Sequence, residues 1–247
     1  MSALPADLSA ALARLAGRRP LLLASDYDGV LAPLVDDPSA AVPLDGIADV
    51  LARLAAVPGV TVALVSGRGL DDLRKTSGFR GPYRWIGSHG AEFDGGLGDE
   101  LAQRRDALRD QLSPVVAGTA GARLEVKPAS VAVHVRQVAD RFAATALLEH
   151  VATIVDTSLT KKLGKDVLEL AVTDADKGSA LRRLRADLSA AGAMYLGDDR
   201  TDEDGFRALE PDDVTVKIGE GETVARFRVA DPHGALALLE NLAALLR

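Results

Sequence analysis

The chain has no cysteine. That absence excludes disulfides, thiolate metal sites and a cysteine nucleophile together, and it points to a reducing compartment. Aromatic residues are scarce, 4% of 247 positions against 47% hydrophobic residues overall, so the interior must be filled by Ala, Leu and Val. Helices and buried parallel strands use such residues; an aromatic-rich β-sandwich does not. Positive charge is the minority sign: 29 Lys and Arg face 36 Asp and Glu, a formal charge of −7. Nothing in that balance attracts nucleic acid or anionic lipid, and a small anionic ligand must be met by local cations. No stretch approaches the ~18 apolar residues of a membrane span, and the first five residues lack the basic start and apolar run of a secretory signal. The expectation is a cytoplasmic protein, working as a monomer on a small molecule, with neither nucleic acid nor membrane as partner.

What is present is a strand and helix rhythm interrupted once. The length fits one large domain or a core carrying a smaller insert. Leu8, Leu12 and Leu15 share one helical face over residues 6–16, and a buried strand over 21–25 runs directly into Asp26-Tyr27-Asp28-Gly29. Ile47, Val50, Leu51 and Leu54 mark a helix that Pro58-Gly59 ends, and 60–65 reads as a second buried strand. Such units predict a parallel sheet with right-handed crossovers and a ligand crevice beyond the strands' carboxyl ends. After a helix over 99–112 the pattern changes: 124–127 and 131–136 alternate around Pro128-Ala129-Ser130 as a hairpin does, and a helix over 140–152 and strand-like runs at 153–156 and 167–172 follow. From Lys177 the rhythm returns, with strands over 194–196 and 214–218, a helix from Thr201 and a last helix carrying Leu238, Leu239, Leu242 and Leu246. The reading is an α/β protein with a Rossmann-like parallel-sheet core, residues 1–98 and 172–247, and an inserted α/β cap, residues 99–171, acting as a lid.

Four clusters at strand ends carry the chemistry. At Asp26-Tyr27-Asp28-Gly29 a tight turn can aim one carboxylate and one carbonyl at a shared point with the Asp28 carboxyl nearby, and Gly29 lets the backbone come close; a capped turn uses the same residues. Gly197-Asp198-Asp199-Arg200-Thr201-Asp202-Glu203-Asp204 again follows an apolar strand. Thr201 with Asp204 fits a capping box, so Glu203 and Asp204 need no function. If this strand neighbours the first, Asp198 and Asp199 meet Asp26, and each pair of like charges ~4 Å apart costs about 4 kcal/mol at an effective dielectric near 20. A cation must then sit between them, and ligands offering oxygen alone select a hard ion such as Mg²⁺. Ser66-Gly67-Arg68 places a hydroxyl and free amides at a helix start, an anion site or a plain cap. Lys177 stands in the first turn of a helix, where the dipole disfavours it. Together these supply the parts that phosphoryl transfer requires. On the lid hairpin, Glu125, Lys127, His134 and Arg136 fall on one face and Leu124, Val126, Val131, Val133 and Val135 on the other.

These four clusters resemble the motifs of the haloacid-dehalogenase-like phosphohydrolases. More narrowly, together with Ser88-His89-Gly90-Ala91-Glu92, they are similar to those of the trehalose-6-phosphate phosphatase family, the run from Gly197 to Asp204 being the most specific. The resemblance implies a haloacid-dehalogenase-type core and hydrolysis of trehalose 6-phosphate in trehalose biosynthesis, with Asp26 as nucleophile and Asp28 as acid and then base. It implies Ser66 and Lys177 on the phosphoryl oxygens, and Mg²⁺ on Asp26, the Asp28 carbonyl and Asp198, with Asp199 or Asp202 behind them. It further implies sugar or substrate contacts from Gly67, Arg68, Glu125, Lys127, His134, Arg136 and Glu169, with Lys165 on the strand face of Glu169. The family commonly continues past that glutamate with an arginine where Leu170-Ala171 stands here. Three alternatives remain open at this point: a sister phosphatase or phosphomutase acting on sucrose phosphate, mannosyl-glycerate phosphate or hexose phosphate; a phospho-acceptor signalling domain, which Asp28 and the lid oppose; and a silent sugar-binding protein.

Overall fold

The computed structural model describes residues 4–247, and the chain divides into two compact units. The first runs to Asp94 and resumes with Ala175–Arg247; the second is Gly95–Asp174. In the first unit β1 (Leu21–Ser25), β2 (Val60–Val65), β3 (Arg84–Ile86), β8 (Gly192–Gly197), β9 (Val214–Ile218) and β10 (Phe227–Val229) form a sheet of order β10-β9-β8-β1-β2-β3. All five pairings are parallel. Side chains alternate between two apolar layers, as the strand period requires. Leu21, Leu23, Val62, Leu64, Met194 and Leu196 pack with α1 (Ala6–Ala16), α2 (Ile47–Ala55) and α8 (Pro232–Leu245). Leu22, Ala24, Ala63, Val65, Ala193 and Tyr195 pack with α6 (Lys177–Leu188) and α7 (Asp202–Ala208). The register pairs Ser25 with Leu64 on one side and with Leu196 on the other, so the tips of β1, β2 and β8 end level. Of the first unit's helices, α3 (Leu70–Ser77) follows β2.

The second unit is an antiparallel sheet of order β4-β5-β7-β6, built from β4 (Arg123–Lys127), β5 (Ser130–His134), β6 (Thr160–Gly164) and β7 (Val167–Ala171). One face of it, through Val131, Val133, Leu168 and Leu170, buries against α4 (Asp99–Ala117) and α5 (Arg141–Ile154). Four expectations need correction here. The run 153–156 is no strand: Val155 continues the buried stripe of Leu147 and Val151 at helical spacing, α5 extends to Ile154, and the strand lies at Thr160–Gly164, an exposed edge without apolar alternation. Helix α4 passes Pro114 to reach Ala117 because Leu108, Leu112 and Val116 bury at every fourth position. Strand β5 ends at His134, which leaves Arg136 exposed beyond it, and Lys165 lies in the turn between β6 and β7 rather than on a strand.

Among the described residues no helix is long and apolar enough to cross a membrane. The first unit is tied across its helical layer by Asp213, whose carboxylate is fully buried. It accepts from the Ala193 amide at 2.9 Å, the Glu210 amide at 2.9 Å, Arg18 at 3.3 Å and Arg185. Removing a buried partner strands the rest, so Asp213→Ala should cost about 2–4 kcal/mol. Urea unfolding of the variant checks this; a loss below about 1 kcal/mol, the level of an exposed ion pair, would contradict it.

Candidate active site

Lys177 opens α6, and the helix start explains how a lysine is held there. Asp176 caps the helix by accepting from the Ser179 amide at 2.6 Å while the Ser179 hydroxyl accepts from the Asp176 amide at 3.0 Å. With its backbone so pinned, the Lys177 side chain is 1% exposed and its ammonium donates to Asp26 Oδ2 at 2.6 Å and to Asp202 Oδ1 at 2.7 Å. Asp26 follows β1 directly, its amide bonded to the Leu196 carbonyl of β8 and its Oδ1 accepting from the Tyr27 amide at 2.6 Å. Asp202 accepts four donors. Lys177 and the Tyr195 hydroxyl share Oδ1, and the amides of Asp198 and Asp199 reach Oδ2 at 2.9 and 3.0 Å.

Oxygens of Asp26, Asp198 and Asp202 lie within 4.8 Å of one another. The approach depends on Gly29: with φ +73° it takes a backbone conformation that disfavours other residues, and a Cβ there would stand 2.0 Å from Asp198 Oδ2. Burial and the neighbouring carboxylate of Asp202 push Asp26 up to about 7 against the pull of Lys177. Burial, Asp202 and Asp199 push Asp198 up to about 6. Burial by itself would lower Lys177, but Asp26 and Asp202 hold it above its ordinary value. Carboxylates crowded beyond what one ammonium neutralises, offering oxygen donors and no His or Cys, fit a divalent metal ion. Asp199 stands beside this group with Oδ1 engaged by the Thr201 amide and hydroxyl, at 2.9 Å from the latter.

That bond corrects the expected capping box at α7. Thr201 makes no side-chain cap; the loop is ordered from Asp199 and Asp202 instead. Asp28 is bound by the Arg68 guanidinium through two bonds, Nε to Oδ2 at 2.6 Å and Nη2 to Oδ1 at 2.7 Å. Arg68 also donates to Asp72 at 2.8 Å and to the Pro38 carbonyl at 2.6 Å. The Ser66 hydroxyl, at the end of β2, accepts from the Arg68 amide at 3.2 Å. Gly67 lies under the His89 ring, which a Cβ would meet at 2.5 Å. His89 and Ser88 both hold positive φ, 57° and 49°, and Glu92 braces them by accepting from the Ser88 hydroxyl at 2.7 Å. Asp26, Asp28, Ser66, Gly67, Arg68, Lys177, Asp198, Asp199 and Asp202 thus gather at the carboxyl ends of β1, β2 and β8.

Two contributors escaped the sequence reading. Tyr195, inside β8, and Lys217, inside β9, are buried, and Lys217 donates to the Asp198 carbonyl. The available signal was a side chain with a polar tip within each mostly apolar run. The remaining candidate residues belong to the second unit. Opposed pairs Glu125–Ala132, Lys127–Ser130 and Ala132–Glu169 put Glu125, Lys127, Ser130, His134 and Glu169 on the sheet face away from its helices. His134 Nε2 lies 2.6 Å from Glu125 Oε2, and Glu169 accepts from Ser130 at 2.6 Å and Lys127 at 3.1 Å. Burial opposes the Glu169 charge, yet Ser130 and Lys127 hold its carboxyl below the usual range.

Residues 24–233 match the family model described as trehalose-phosphatase. The chain is 36% identical to a bifunctional trehalose-6-phosphate synthase/phosphatase of Thermoproteus tenax, over 92% of this chain and 32% of that protein. It is 37% identical to a trehalose-phosphate phosphatase of Mycolicibacterium paratuberculosis, over 98% of this chain and 68% of that one. It therefore spans about a third of the first relative's length and about two thirds of the second's. Among solved structures it is similar to a trehalose-6-phosphate phosphatase of Aspergillus fumigatus, with TM-score 0.75, 25% identity and 99% of both chains covered. A sucrose-phosphatase of Synechocystis, at TM-score 0.54 and 20% identity, shares the fold, with 92% of this chain and 98% of that one covered. The architecture is the haloacid-dehalogenase type, and the chain belongs to the trehalose-phosphatase family.

Proposed function

We propose that the chain is a Mg²⁺-dependent phosphoric monoester hydrolase that converts trehalose 6-phosphate to trehalose and phosphate in trehalose biosynthesis. The observation that carries the reading is the Lys177 ammonium shared by Asp26 and Asp202 beside Asp198, in a chain of the trehalose-phosphatase family. Asp26 attacks phosphorus, the bond from phosphorus to the sugar oxygen breaks, and Asp28 gives that oxygen a proton. Asp28 then takes a proton from water as the water oxygen attacks the aspartyl phosphate, releasing phosphate and restoring Asp26. Ser66 and Lys177 hold the phosphoryl oxygens. Asp28 delivers its proton only when the Arg68 fork lets go of its carboxyl, because both of its oxygens are engaged in that pair.

Asp26, Asp198 and the Asp28 carbonyl would hold the metal. Asp202, with both oxygens already accepting donors, supports from behind, as does Asp199. When bound, Mg²⁺ supplies positive charge that offsets the crowded carboxylates and draws charge from the transferring group. The polar face of the second unit, with Glu125, Lys127, His134 and Glu169 on its strands and Arg136 beyond, takes the sugar hydroxyls; its acceptors and donors are held in pairs whose members can each turn to a hydroxyl.

Phosphate release from trehalose 6-phosphate, sucrose phosphate, mannosyl-glycerate phosphate and glucose 6-phosphate tests this. Trehalose 6-phosphate should exceed the others in kcat/KM by about tenfold or more, EDTA should abolish release and Mg²⁺ restore it. A faster rate on any other of the four would reassign the substrate. Asp26→Asn is nearly isosteric and should keep the fold while losing roughly a thousandfold in kcat; retained turnover would refute the nucleophile. His134→Ala combined with Arg136→Ala should raise KM for the disaccharide ester roughly tenfold and leave p-nitrophenyl phosphate unchanged. Equal effects on both esters would move sugar recognition elsewhere.

A further inference from the structure

Tyr195 is a fully buried side chain of β8 whose polar tip reaches the carboxylate cluster. Helix α7 packs closely on its ring: the Phe206 ring lies 5.6 Å away between centroids, and a Cβ on Gly205 would meet the tyrosine ring at 2.5 Å. Its hydroxyl donates to Asp202 Oδ1, the oxygen that also receives Lys177. The Asp202 carboxylate is confined in turn, since a Cβ on Gly197 would stand 2.3 Å from its Cγ. With Lys177 and Tyr195 on one oxygen and the amides of Asp198 and Asp199 on the other, all four acceptor positions of the carboxylate are filled.

We infer that Tyr195 is a positioning residue: its hydroxyl locks Asp202 in the orientation that keeps Lys177 against Asp26 and keeps the Asp198 amide, and so the Asp198 carboxylate, turned toward Asp26. The inference rests on the phosphatase reading above for its kinetic consequences and on the geometry alone for its effect on the carboxylate cluster. Without the hydroxyl, Asp202 Oδ1 has Lys177 as its sole donor. The carboxylate, still held at Oδ2 by two amides, can then tilt about its Cβ–Cγ bond, and the ammonium shifts with Oδ1 away from Asp26.

Tyr195→Phe in the full chain removes one oxygen and keeps the ring packing. Titration with Mg²⁺ alone by calorimetry should show affinity reduced about three- to tenfold, and kcat on trehalose 6-phosphate should fall about tenfold with KM within about twofold. Phe206→Leu loosens the same packing but leaves the hydroxyl, so it should lower the melting temperature and keep both kcat and Mg²⁺ affinity. A Tyr195→Phe protein that melts lower yet retains wild-type kcat and Mg²⁺ affinity would overturn the inference, as would equal losses in Phe206→Leu, since either result makes the tyrosine a packing residue only. Should the unaltered chain hydrolyse no sugar phosphate, the functional reading fails by itself, and the difference in Mg²⁺ affinity between it and Tyr195→Phe still decides the role of the hydroxyl.

Discussion

The Lys177 ammonium, buried between the carboxylates of Asp26 and Asp202, is the contact on which the rest of the first unit's site depends. The two residues of its longer pair are 151 positions apart, so one salt bridge joins the strand that precedes the insert to the helix that follows it. Two carboxylates taken out of water without a cation would be strongly disfavoured, and a buried ammonium without partners would be equally so. One ammonium offsets only one of the two carboxylates, so with Asp198 the cluster keeps a formal excess of negative charge, and that excess is what a divalent ion would answer. The backbone cooperates: a capped helix start fixes Lys177, and Gly29 and Gly197 open the space into which Asp198 and Asp202 fit.

Much of this was legible from residue order because parallel strands buried on both faces show unbroken apolar runs. Those at 21–25, 60–65 and 214–218 match the observed strands residue for residue. The polar clusters directly after them could then be placed at one edge of a sheet without knowing the contacts. Where local pattern and tertiary context diverged, the pattern misled. Thr201 and Asp204 have capping-box spacing, yet the loop is ordered by Asp199 and by Asp202, whose carboxylate is fixed by Lys177 from a distant part of the chain. The apolar pair Ile154-Val155 looked like part of a strand because a short run carries no period, whereas in the fold Val155 extends a helical stripe begun at Leu147. Tyr195 and Lys217 were hidden by apolar neighbours on their strands. A polar tip on a core strand has meaning only once the loop it reaches is known.

The two units divide the work in the proposed reaction. Charge density belongs to the first, where carboxylates, the ammoniums of Lys177 and Lys217 and a guanidinium fork crowd the strand ends. The polar face of the second is milder: its acids are paired with His134, Ser130 and Lys127 rather than with one another, as suits an uncharged, hydroxyl-rich ligand. Arg68 occupies both oxygens of Asp28, which in the proposed reaction makes opening of that pair a condition for proton transfer.

The central claim is that Asp26 and Asp198 converge on one divalent ion while Asp202 stays engaged by its four donors. Crystals soaked in Mn²⁺ and measured at the manganese edge address it directly. The account predicts a single anomalous peak at coordination distance from Asp26 and Asp198 and none bonded to Asp202. A peak elsewhere, or one bonded to Asp202 with Lys177 displaced, would contradict it.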